Sequence, residues 1–475
     1  MVFSSITFLL YFLPVFLTLY FLADVKFKNL IVLFGSILFY SWGAPLFIFV
    51  ILGTTFLDFH LVKWMHHSQK SWQKKLLLTV SVCMNLGLLF YFKYSFFLID
   101  NINEILHIAG QKNIAWEKIA LPIGISFFTF ESLTYVVDVY RGVHAPLKKF
   151  WNYQLYIILF PKLIAGPIVR YHDIADQITD RFEKDGIDNK LAGLYRFILG
   201  LSKKVIIANS VAAFADKIFQ SDLHQLPTSS AWLGILCYTF QIYFDFSGYS
   251  DMAIGILKML GFNINENFNH PYTANSITDF WRRWHMSLGA WMRNYLYIPL
   301  GGNRVTSKWR LYFNLWLVFL ASGLWHGASW NFVIWGAYHG LWLVMERSFL
   351  LKLYERIWNP VRAILTFFIV VIGWVFFRVD TFDNAWTFLQ RLFVFDMSVP
   401  KIEFTPELTF YFVLAAFFSF MGLSSFGKNL SARFYKEVYS VKEASVWAFI
   451  TLVLLILNIS FLAAKGFNPF IYFRF

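Results

Sequence analysis

The sequence predicts an all-α polytopic membrane protein, a bundle of roughly 10–12 transmembrane helices with re-entrant and interfacial helices among them. Of its 475 residues, 58% are hydrophobic and 15% are charged, and the mean hydropathy is +0.54. A soluble domain carries about 25% charged residues. Apolar runs recur along the whole chain, most of them near the roughly 20 residues that cross a bilayer. The shorter runs are expected to be re-entrant.

The apolar runs extend over the full length, and we expect one membrane domain over 1–475. Its parts are N-terminal helices (1–140), a catalytic core (141–347) and C-terminal helices (348–475). The first run has no basic start and no small-residue cleavage site, so it is predicted to be a retained span. The runs lie near 2–22, 29–43, 45–60, 76–98, 119–137, 151–169, 191–217, 229–260, 311–325, 328–345, 362–378, 408–426 and 445–464.

The net charge of +13 is distributed as the positive-inside rule expects, so it does not indicate nucleic-acid binding. Loops 62–75 and 141–150 carry +4 and +3, whereas segments 99–118 and 379–407 carry −1 and −3. The basic loops are predicted to be cytoplasmic and the N-terminus external. The two cysteines lie in apolar runs, which predicts neither a metal site nor a disulfide.

Acidic residues interrupt several of these runs. Asp58 closes the third run beside a basic loop, so we interpret it as interfacial. Glu131 and Asp138 are seven apart and share one helical face, where they either line a cavity or pair with an arginine. Asp245 and Asp251 interrupt a later run, which indicates either a polar helix–helix contact or a cavity wall.

Segment 160–171 contains two prolines, a glycine and a lysine inside an apolar run. Proline breaks the helical hydrogen-bond ladder. Broken backbone at membrane depth is tolerated only where it is buried in protein or lines a cavity. This segment is therefore predicted to be a broken helix.

The densest concentration of Trp, His, Arg and Gly lies in 276–347. Ser276 and Asp279 form an S-x-x-D helix start. Residues 281–310 contain five arginines, one lysine and no acid, a net charge of +6. A cationic, Trp-rich amphipathic helix is predicted to lie in the membrane interface, where it suits an anionic ligand or lipid headgroups. Its aromatic face comprises Trp281, Trp284, His285, Leu288, Trp291 and Tyr295.

His326 follows in a Trp-His-Gly sequence that is expected to open a helix. Glycines 323 and 327, and likewise 336 and 340, are four apart, and such pairs let membrane helices pack backbone to backbone. His339 is 13 residues beyond His326, about 220° around a helix, so the two are not expected to share a site. A polar ring among membrane segments is costly, which makes His285 and His326 functional candidates.

The motifs of this stretch resemble those of the membrane-bound O-acyltransferases, most closely the bacterial alginate branch, which includes peptidoglycan O-acetyltransferases. The resemblance covers nearly the whole chain. It implies a helical bundle around a central tunnel. The motifs are M-V-F-S-S-I-T-F-L, L-P-I-G-I-S-F-F-T-F, Y-F-D-F-S-G-Y-S-D-M-A, F-W-R-R-W-H-M-S-L, Y-I-P-L-G-G-N-R, L-W-H-G-A-S-W-N-F and N-P-F-I-Y-F-R-F.

The resemblance implies transfer of an acyl group from a cytoplasmic thioester, such as acetyl-CoA, to a hydroxyl across the bacterial inner membrane. It implies no bound cofactor or metal, and a polysaccharide acceptor often reached through a periplasmic SGNH-hydrolase-type partner. His326 matches the family's general catalytic histidine and His285 its second signature histidine. Residues considered for donor or substrate binding are Arg282, Arg283, Arg293, Trp281, Trp325, Asn331, Asp245 and Asp251.

The chemistry agrees with this assignment. An alcohol is a poor nucleophile at neutral pH, and a neutral histidine that takes its proton contributes about 10²–10⁴ in rate. The alternatives are a D-alanyl transferase of teichoic-acid modification, which uses a carrier-protein thioester, and a transporter. Transporters commonly show internal repeats, and the sequence shows none.

Overall fold

The computed structural model describes residues 1–181, 185–394, 405–465 and 468–471, and within these ranges every regular element is a helix. This confirms the predicted all-α fold. The first α-helices are α1 (Leu13–Leu22), α2 (Val25–Gly43), α3 (Phe47–His67), α4 (Ser71–Leu89), α5 (Ser95–Ile108), α6 (Ile125–Tyr140), α7 (Phe150–Ile158), α8 (Phe160–Leu163), α9 (Tyr171–Thr179), α10 (Ile187–Ser202) and α11 (Asn209–Phe219).

The later α-helices are α12 (Thr228–Met259), α13 (Ile277–Arg283), α14 (Met286–Trp291), α15 (Lys308–His326), α16 (Trp330–Met345), α17 (Leu351–Tyr354), α18 (Asn359–Arg378), α19 (Phe382–Phe393), α20 (Pro406–Phe420), α21 (Ser425–Phe434) and α22 (Val441–Lys465). Short π-helical turns lie at Phe8–Phe12, Phe90–Tyr94, Lys203–Ala208, Met292–Tyr297 and Glu346–Leu350, and 3₁₀ turns at Leu223–Gln225, Pro271–Thr273 and Met421–Leu423.

The chain forms two compact units. The N-terminal unit comprises Met1–Leu194 with Ala253–Asn265, and the C-terminal unit comprises Tyr195–Met252 with Glu266–Phe475. Two of the three boundaries fall within α10 and α12, and the third falls in the loop after α12, between Asn265 and Glu266. The prediction of one membrane domain over 1–475 stays a prediction.

In the described ranges, seven helices are long and apolar enough to cross a membrane, fewer than the 10–12 that were predicted. The difference arises because several predicted spans fold into shorter helices. Run 119–137 yields the 16-residue α6, and run 328–345 yields the 16-residue α16. The seven helices cover Val25–Gly43, Phe47–His67, Ser71–Ile108, Ile187–Phe219, Asn359–Arg378, Pro406–Leu423 and Val441–Ala464.

The predicted break in segment 160–171 is confirmed. Helix α7 ends at Ile158, α8 starts again with Pro161 in its first turn, and α8 itself ends at Leu163, so the segment up to Tyr171 is not one continuous helix. Proline fits the first helical turn because the amide hydrogen that it lacks would have no helical partner there. Phe160 to Leu163 are almost completely buried, as broken backbone at membrane depth requires.

The interfacial interpretation of Asp58 is wrong. Helix α3 continues to His67, so Asp58 lies in the middle of the helix and is 0% exposed. Its carboxylate accepts hydrogen bonds from Ser81 and, at 2.8 Å, from Asn85, both on one face of α4. These interhelical donors make mid-helix burial possible, because polar side chains hydrogen-bond across membrane helices. Periodicity did not show that the two runs would be neighbours.

Glu131 forms a fully buried ion pair with Lys162 of α8, and both side chains are 0% exposed. Asp138 lies seven residues further along α6, and its carboxylate is 2.8 Å from Nδ1 of His172. The paired alternative is therefore confirmed for both carboxylates, although the partners are lysine and histidine instead of arginine. A buried charge that keeps its partner avoids most of the cost of desolvation.

Breaking this pair is expected to destabilise the protein strongly. Lys162→Met leaves the Glu131 carboxylate buried without its counter-charge, which typically costs about 3–5 kcal/mol. The double variant Glu131→Gln/Lys162→Met should recover most of that loss, because no lone charge remains. Thermal unfolding in detergent measures both variants, and Lys148→Met at an exposed position is the matched control. A single variant as stable as the wild type would contradict the expectation.

In the C-terminal unit, α15 and α16 pack with their backbones in contact. A Cβ atom added at Gly323 would lie 2.2 Å from the carbonyl oxygen of Phe332, and one added at Gly336 would lie 2.4 Å from that of Phe319. The predicted close packing at these glycines is confirmed. This packing fixes the position of His326, which is the last residue of α15.

Candidate active site

The aromatic stretch around His285 is not one continuous helix, so the predicted single face from Trp281 to Tyr295 is wrong. Helix α13 ends at Arg283, Trp284 is extended, and His285 has the left-handed conformation with φ 44° and ψ 52°. Helix α14 then begins at Met286 and passes into a π-helical turn. A positive φ is rare for a residue with a side chain and is often found at functional sites.

The break is held by a loop that supplies the hydrogen bonds the helix lacks. The amide of Met286 donates to the carbonyl of Asn267 at 2.9 Å, and the amide of Asn269 donates to the carbonyl of Arg283 at 2.9 Å. This loop belongs to an alternating asparagine run at residues 263, 265, 267 and 269. Asparagine favours loops because its side chain competes for backbone hydrogen bonds. That run was the sequence signal that could have identified Asn267.

His285 and His326 lie side by side. Their ring centroids are 6.4 Å apart, and the side chains are 1% and 5% exposed. The rings of His285 and Phe246 are perpendicular with centroids 4.6 Å apart, and the ring of His326 packs on Trp325 with centroids 4.9 Å apart. The structure thus brings together the two histidines that the sequence singled out. His326 closes α15, and the expectation that it opens a helix is wrong.

The ring of His326 is also set against Trp335 of α16 at 5.1 Å and Phe377 of α18 at 5.2 Å. Gly327 makes this approach possible, because a Cβ atom there would lie 2.2 Å from the ring of Phe332. His326 is therefore surrounded by aromatic side chains from several helices. Such packing keeps water away from the imidazole and fixes its orientation.

The ring of His339 also packs against Trp335, with a centroid distance of 5.1 Å. It also contacts Trp281 at 5.0 Å, and it is 0% exposed. The angular argument that separated it from His326 does not apply, because the chain breaks between α15 and α16 and the two histidines lie on different helices. Both rings pack against Trp335, and the expectation that His339 and His326 do not share a site stays a prediction.

Helix α13 is anchored by a carboxylate that the sequence reasoning did not identify. Glu346, 1% exposed, accepts hydrogen bonds from the amide of Ile277 at 2.5 Å and from the amide and hydroxyl of Thr278 at 2.8 and 2.6 Å. A negative charge at a helix N-terminus satisfies orphan amides and complements the helix dipole. The predicted cap is confirmed as well, since Ser276 accepts from the amide of Asp279 at 3.0 Å.

The three arginines considered for donor binding are not equivalent. Arg282 and Arg293 are exposed, whereas Arg283 is half-buried and paired with Asp279 at 2.8 Å. The two exposed arginines are therefore more accessible to a phosphate ligand than Arg283, whose guanidinium is engaged by Asp279. Asn331, 3% exposed, donates to the carbonyl of Val379. Their roles in binding stay predictions.

The carboxylates of α12 are engaged within the protein. Asp251 accepts hydrogen bonds from Arg196 at 2.8 Å, Lys203 at 2.6 Å and Tyr435 at 3.1 Å. Asp245 pairs with Lys204, and it also accepts from the backbone amide of Ile471 at 2.7 Å. Both contacts agree with the polar-contact interpretation of this segment, and a part in donor binding stays a prediction.

The contact at Ile471 holds one end of the sequence's final motif. Phe470, 1% exposed, packs on Tyr249 at 4.8 Å and on Phe246 at 6.0 Å. Phe246 in turn touches His285, so Phe470 belongs to the aromatic surroundings of the histidine pair. The rest of that motif, residues 472–475, lies outside the described residues.

The pair of imidazoles can act on a hydroxyl. His285 lies between α13 and α14, outside the seven long apolar helices, and burial lowers its pKa to about 3. It is therefore neutral at physiological pH, as a proton or hydrogen-bond acceptor must be. A neutral imidazole beside a second buried imidazole, in a water-poor aromatic site, suits acyl transfer to an alcohol, since water would otherwise hydrolyse the donor.

Comparison with known proteins points to the same chemistry. Residues 66–379 match MBOAT, the membrane-bound O-acyltransferase family, and this range includes both histidines. A probable alginate O-acetylase of Pseudomonas aeruginosa is 45% identical over 396 residues, which cover 83% of this chain and 75% of that protein. One from Pseudomonas putida is 40% identical over 496 residues and covers 100% of both chains. A peptidoglycan O-acetyltransferase of Helicobacter pylori is 35% identical over 425 residues, with 82% and 80% coverage.

Proposed function

This chain belongs to the membrane-bound O-acyltransferase family and is a multi-pass membrane O-acyltransferase, and we propose that it moves acetyl groups from cytoplasmic acetyl-CoA to an exported polysaccharide or peptidoglycan. The acetylases of Pseudomonas and the peptidoglycan enzyme of Helicobacter pylori support the acyl group and the class of acceptor. The bacterial inner membrane is the proposed location, because donor and acceptor lie on its two sides.

The observation that carries the proposal is the buried pair of imidazoles with centroids 6.4 Å apart. His326 is the proposed general base. It takes the proton of the acceptor hydroxyl while the hydroxyl oxygen attacks the thioester carbonyl carbon. The carbon–sulfur bond then breaks, and the thiolate leaves and recovers the proton from the imidazolium. No net proton is consumed, so one neutral base is sufficient.

The surroundings of the pair supply the rest of the catalysis. The rings of Trp325, Trp335 and Phe377 enclose His326 and exclude water from the thioester. Arg282 and Arg293 are exposed on the basic segment and are the proposed contacts for the donor's phosphates, since guanidinium groups bind phosphate through paired hydrogen bonds. A periplasmic SGNH-hydrolase-type partner is proposed to receive the acetyl group and pass it on to the polymer.

The proposal is tested with membranes that contain the wild-type chain, and with matched membranes that lack it. They receive either acetyl-CoA labelled in the acetyl group or a carrier-protein thioester labelled in its D-alanyl group, together with alginate, peptidoglycan or teichoic-acid acceptors and the candidate partner. Chain-dependent label on a polymer, or on the partner, is the expected result. If label moves only from an acyl carrier-protein thioester, the D-alanyl transferase alternative replaces the acetyl-CoA proposal. If neither thioester serves as donor, the transfer function itself is wrong.

A further inference from the structure

Asn267 joins His285 to helix α12 through its side chain. It is 1% exposed, and it lies in the loop between α12 and α13. Its Nδ2 donates to the hydroxyl of Ser250 on α12 at 3.0 Å, and its Oδ1 lies 3.2 Å from Nδ1 of His285. Buried amides keep such fixed partners because an unmade hydrogen bond is costly in the interior.

The orientation of this amide is settled by a neighbouring donor. The backbone amide of Ser287 lies 3.2 Å from Oδ1 of Asn267, and the hydroxyl of Ser287 lies 2.9 Å from the same atom. A backbone N–H can only donate, so the atom that it meets must be the acceptor oxygen. The asparagine therefore presents its oxygen, not its NH₂ group, to His285.

That orientation fixes the tautomer of the histidine. Since Oδ1 of Asn267 accepts, Nδ1 of His285 must carry the proton that is donated to it. In a neutral imidazole the other nitrogen then carries the lone pair. Nε2 of His285 is that nitrogen, it is buried, and no group in the described ranges hydrogen-bonds to it.

Asn267 also caps helix α14 in place of the residue that holds the cap position. Its carbonyl accepts from the amide of Met286 at 2.9 Å, and its Oδ1 accepts from the amide of Ser287. His285 occupies the cap position itself but makes no side-chain capping hydrogen bond. The imidazole is therefore not used to cap the helix.

The other contacts of the ring are with aromatic rings and a hydroxyl. They are Phe246 of α12 at 4.6 Å, Trp325 and His326 of α15 at 6.1 and 6.4 Å, and the Ser287 hydroxyl of α14 at 3.4 Å. Burial is the cause of the lowered pKa of His285. With a neutral amide at Nδ1, the ring is held as a neutral acceptor.

We propose that Asn267 is a positioning residue for the acyl transfer, and that it keeps the Nε2 lone pair of His285 directed to a substrate O–H or N–H group. This rests on the proposed function. The donated hydrogen comes either from the acceptor hydroxyl or from an amide N–H of the thioester donor, and both share the chemistry that an imidazole nitrogen accepts. Asn267 touches no reacting atom and acts through His285.

Asn267→Asp is the informative variant. Its carboxylate can still accept a hydrogen bond from the backbone amide of Ser287, so the helix cap is retained. The hydroxyl of Ser250 can rotate and donate to the same carboxylate. An ionised carboxylate beside an imidazole raises its pKa by roughly 1–3. The acceptor nitrogen of His285 is then protonated at a higher pH than in the wild type. Asn265→Asp, exposed in the same asparagine run, is the matched control.

Transfer rates are measured from about pH 4 to about pH 8 with whichever acyl thioester the wild-type chain uses. At the alkaline end of this range, the Asn267→Asp variant is expected to approach the wild-type rate. As the pH falls, the variant should lose activity at a pH about 1 unit or more higher than the pH at which the wild type does. Varying each substrate in turn shows whether the limb lies in kcat/KM for the acceptor or for the donor. A loss by the same factor at every pH would mean that Asn267 is only structural, and an unchanged profile would overturn the proposal.

A second readout does not depend on activity. Nitrogen-15 spectra of histidine-labelled protein, with the His285 signals assigned by their loss in His285→Gln, report which ring nitrogen carries the proton. The wild type should show a protonated Nδ1 and an unprotonated Nε2. The opposite tautomer would contradict the proposal even if transfer is confirmed. If the tautomer is as expected but no thioester serves as donor, the proposed function fails separately.

Discussion

His326→Gln is expected to lower acyl transfer by about 10²–10⁴-fold, the range that a positioned general base contributes. The amide cannot take the proton of the acceptor hydroxyl, whereas the enclosing rings of Trp325, Trp335 and Phe377 remain. The measurement is the initial rate of label transfer per amount of folded protein, with folding monitored by size-exclusion chromatography in detergent.

His339→Gln is the control for this variant. His339 is at least as buried as His326, at 0% against 5% exposure, and its ring packs on the same Trp335 at the same 5.1 Å. The two substitutions therefore disturb similar surroundings. The control should keep activity within a few-fold of the wild type, and His326→Gln activity near that of the control would show that the base is elsewhere.

Gly336→Ala is expected to destabilise the protein strongly. The added Cβ atom would lie 2.4 Å from the carbonyl oxygen of Phe319, a distance at which the two backbones must move apart. Overpacking of this kind typically costs about 1–3 kcal/mol, and here the obstacle is backbone instead of a flexible side chain. The temperature at which the detergent-solubilised protein loses its monodisperse peak measures the effect.

Gly87→Ala provides the contrast. Gly87 lies in the long apolar helix α4, where a Cβ atom would meet nothing within 4 Å. Alanine in a helix interior is favoured over glycine by roughly 0.8–1.0 kcal/mol, so this variant should be at least as stable as the wild type. Equal losses at both positions would show that the glycine contacts between α15 and α16 do not determine stability.

Sequence reasoning succeeded where one local physical rule determined the outcome. Prolines and a glycine inside an apolar run required a broken helix, and the helix ends at Ile158 and again at Leu163. Small residues four apart required close helix packing, and Gly323 and Gly336 show it. Two costly polar rings marked His285 and His326, and the structure places them next to each other.

The failures arose where a distant partner overrode the local pattern. Helical periodicity put Trp281 and His285 on one face, but hydrogen bonds from a loop near Asn267 end the helix between them. Asp58 was interpreted as interfacial because its donors, Ser81 and Asn85, are on another helix. Glu346 is likewise 69 residues along the chain from Ile277, whose backbone amide donates a hydrogen bond to it. Each of these contacts joins residues that are far apart in the sequence, and helical periodicity does not predict that such residues are close in space.

The left-handed backbone at His285 has a consequence for engineering. In the described ranges, only His270 and His285 combine a side chain with a positive φ. That conformation costs a residue with a Cβ atom roughly 1–2 kcal/mol, and glycine adopts it freely. A sequence redesigned on this backbone for heat resistance alone would favour glycine at position 285 and discard the imidazole. Because His285 is a proposed site residue, we expect a glycine at this position to lower acyl transfer, and a search for thermostabilised variants that keep activity should leave it unchanged.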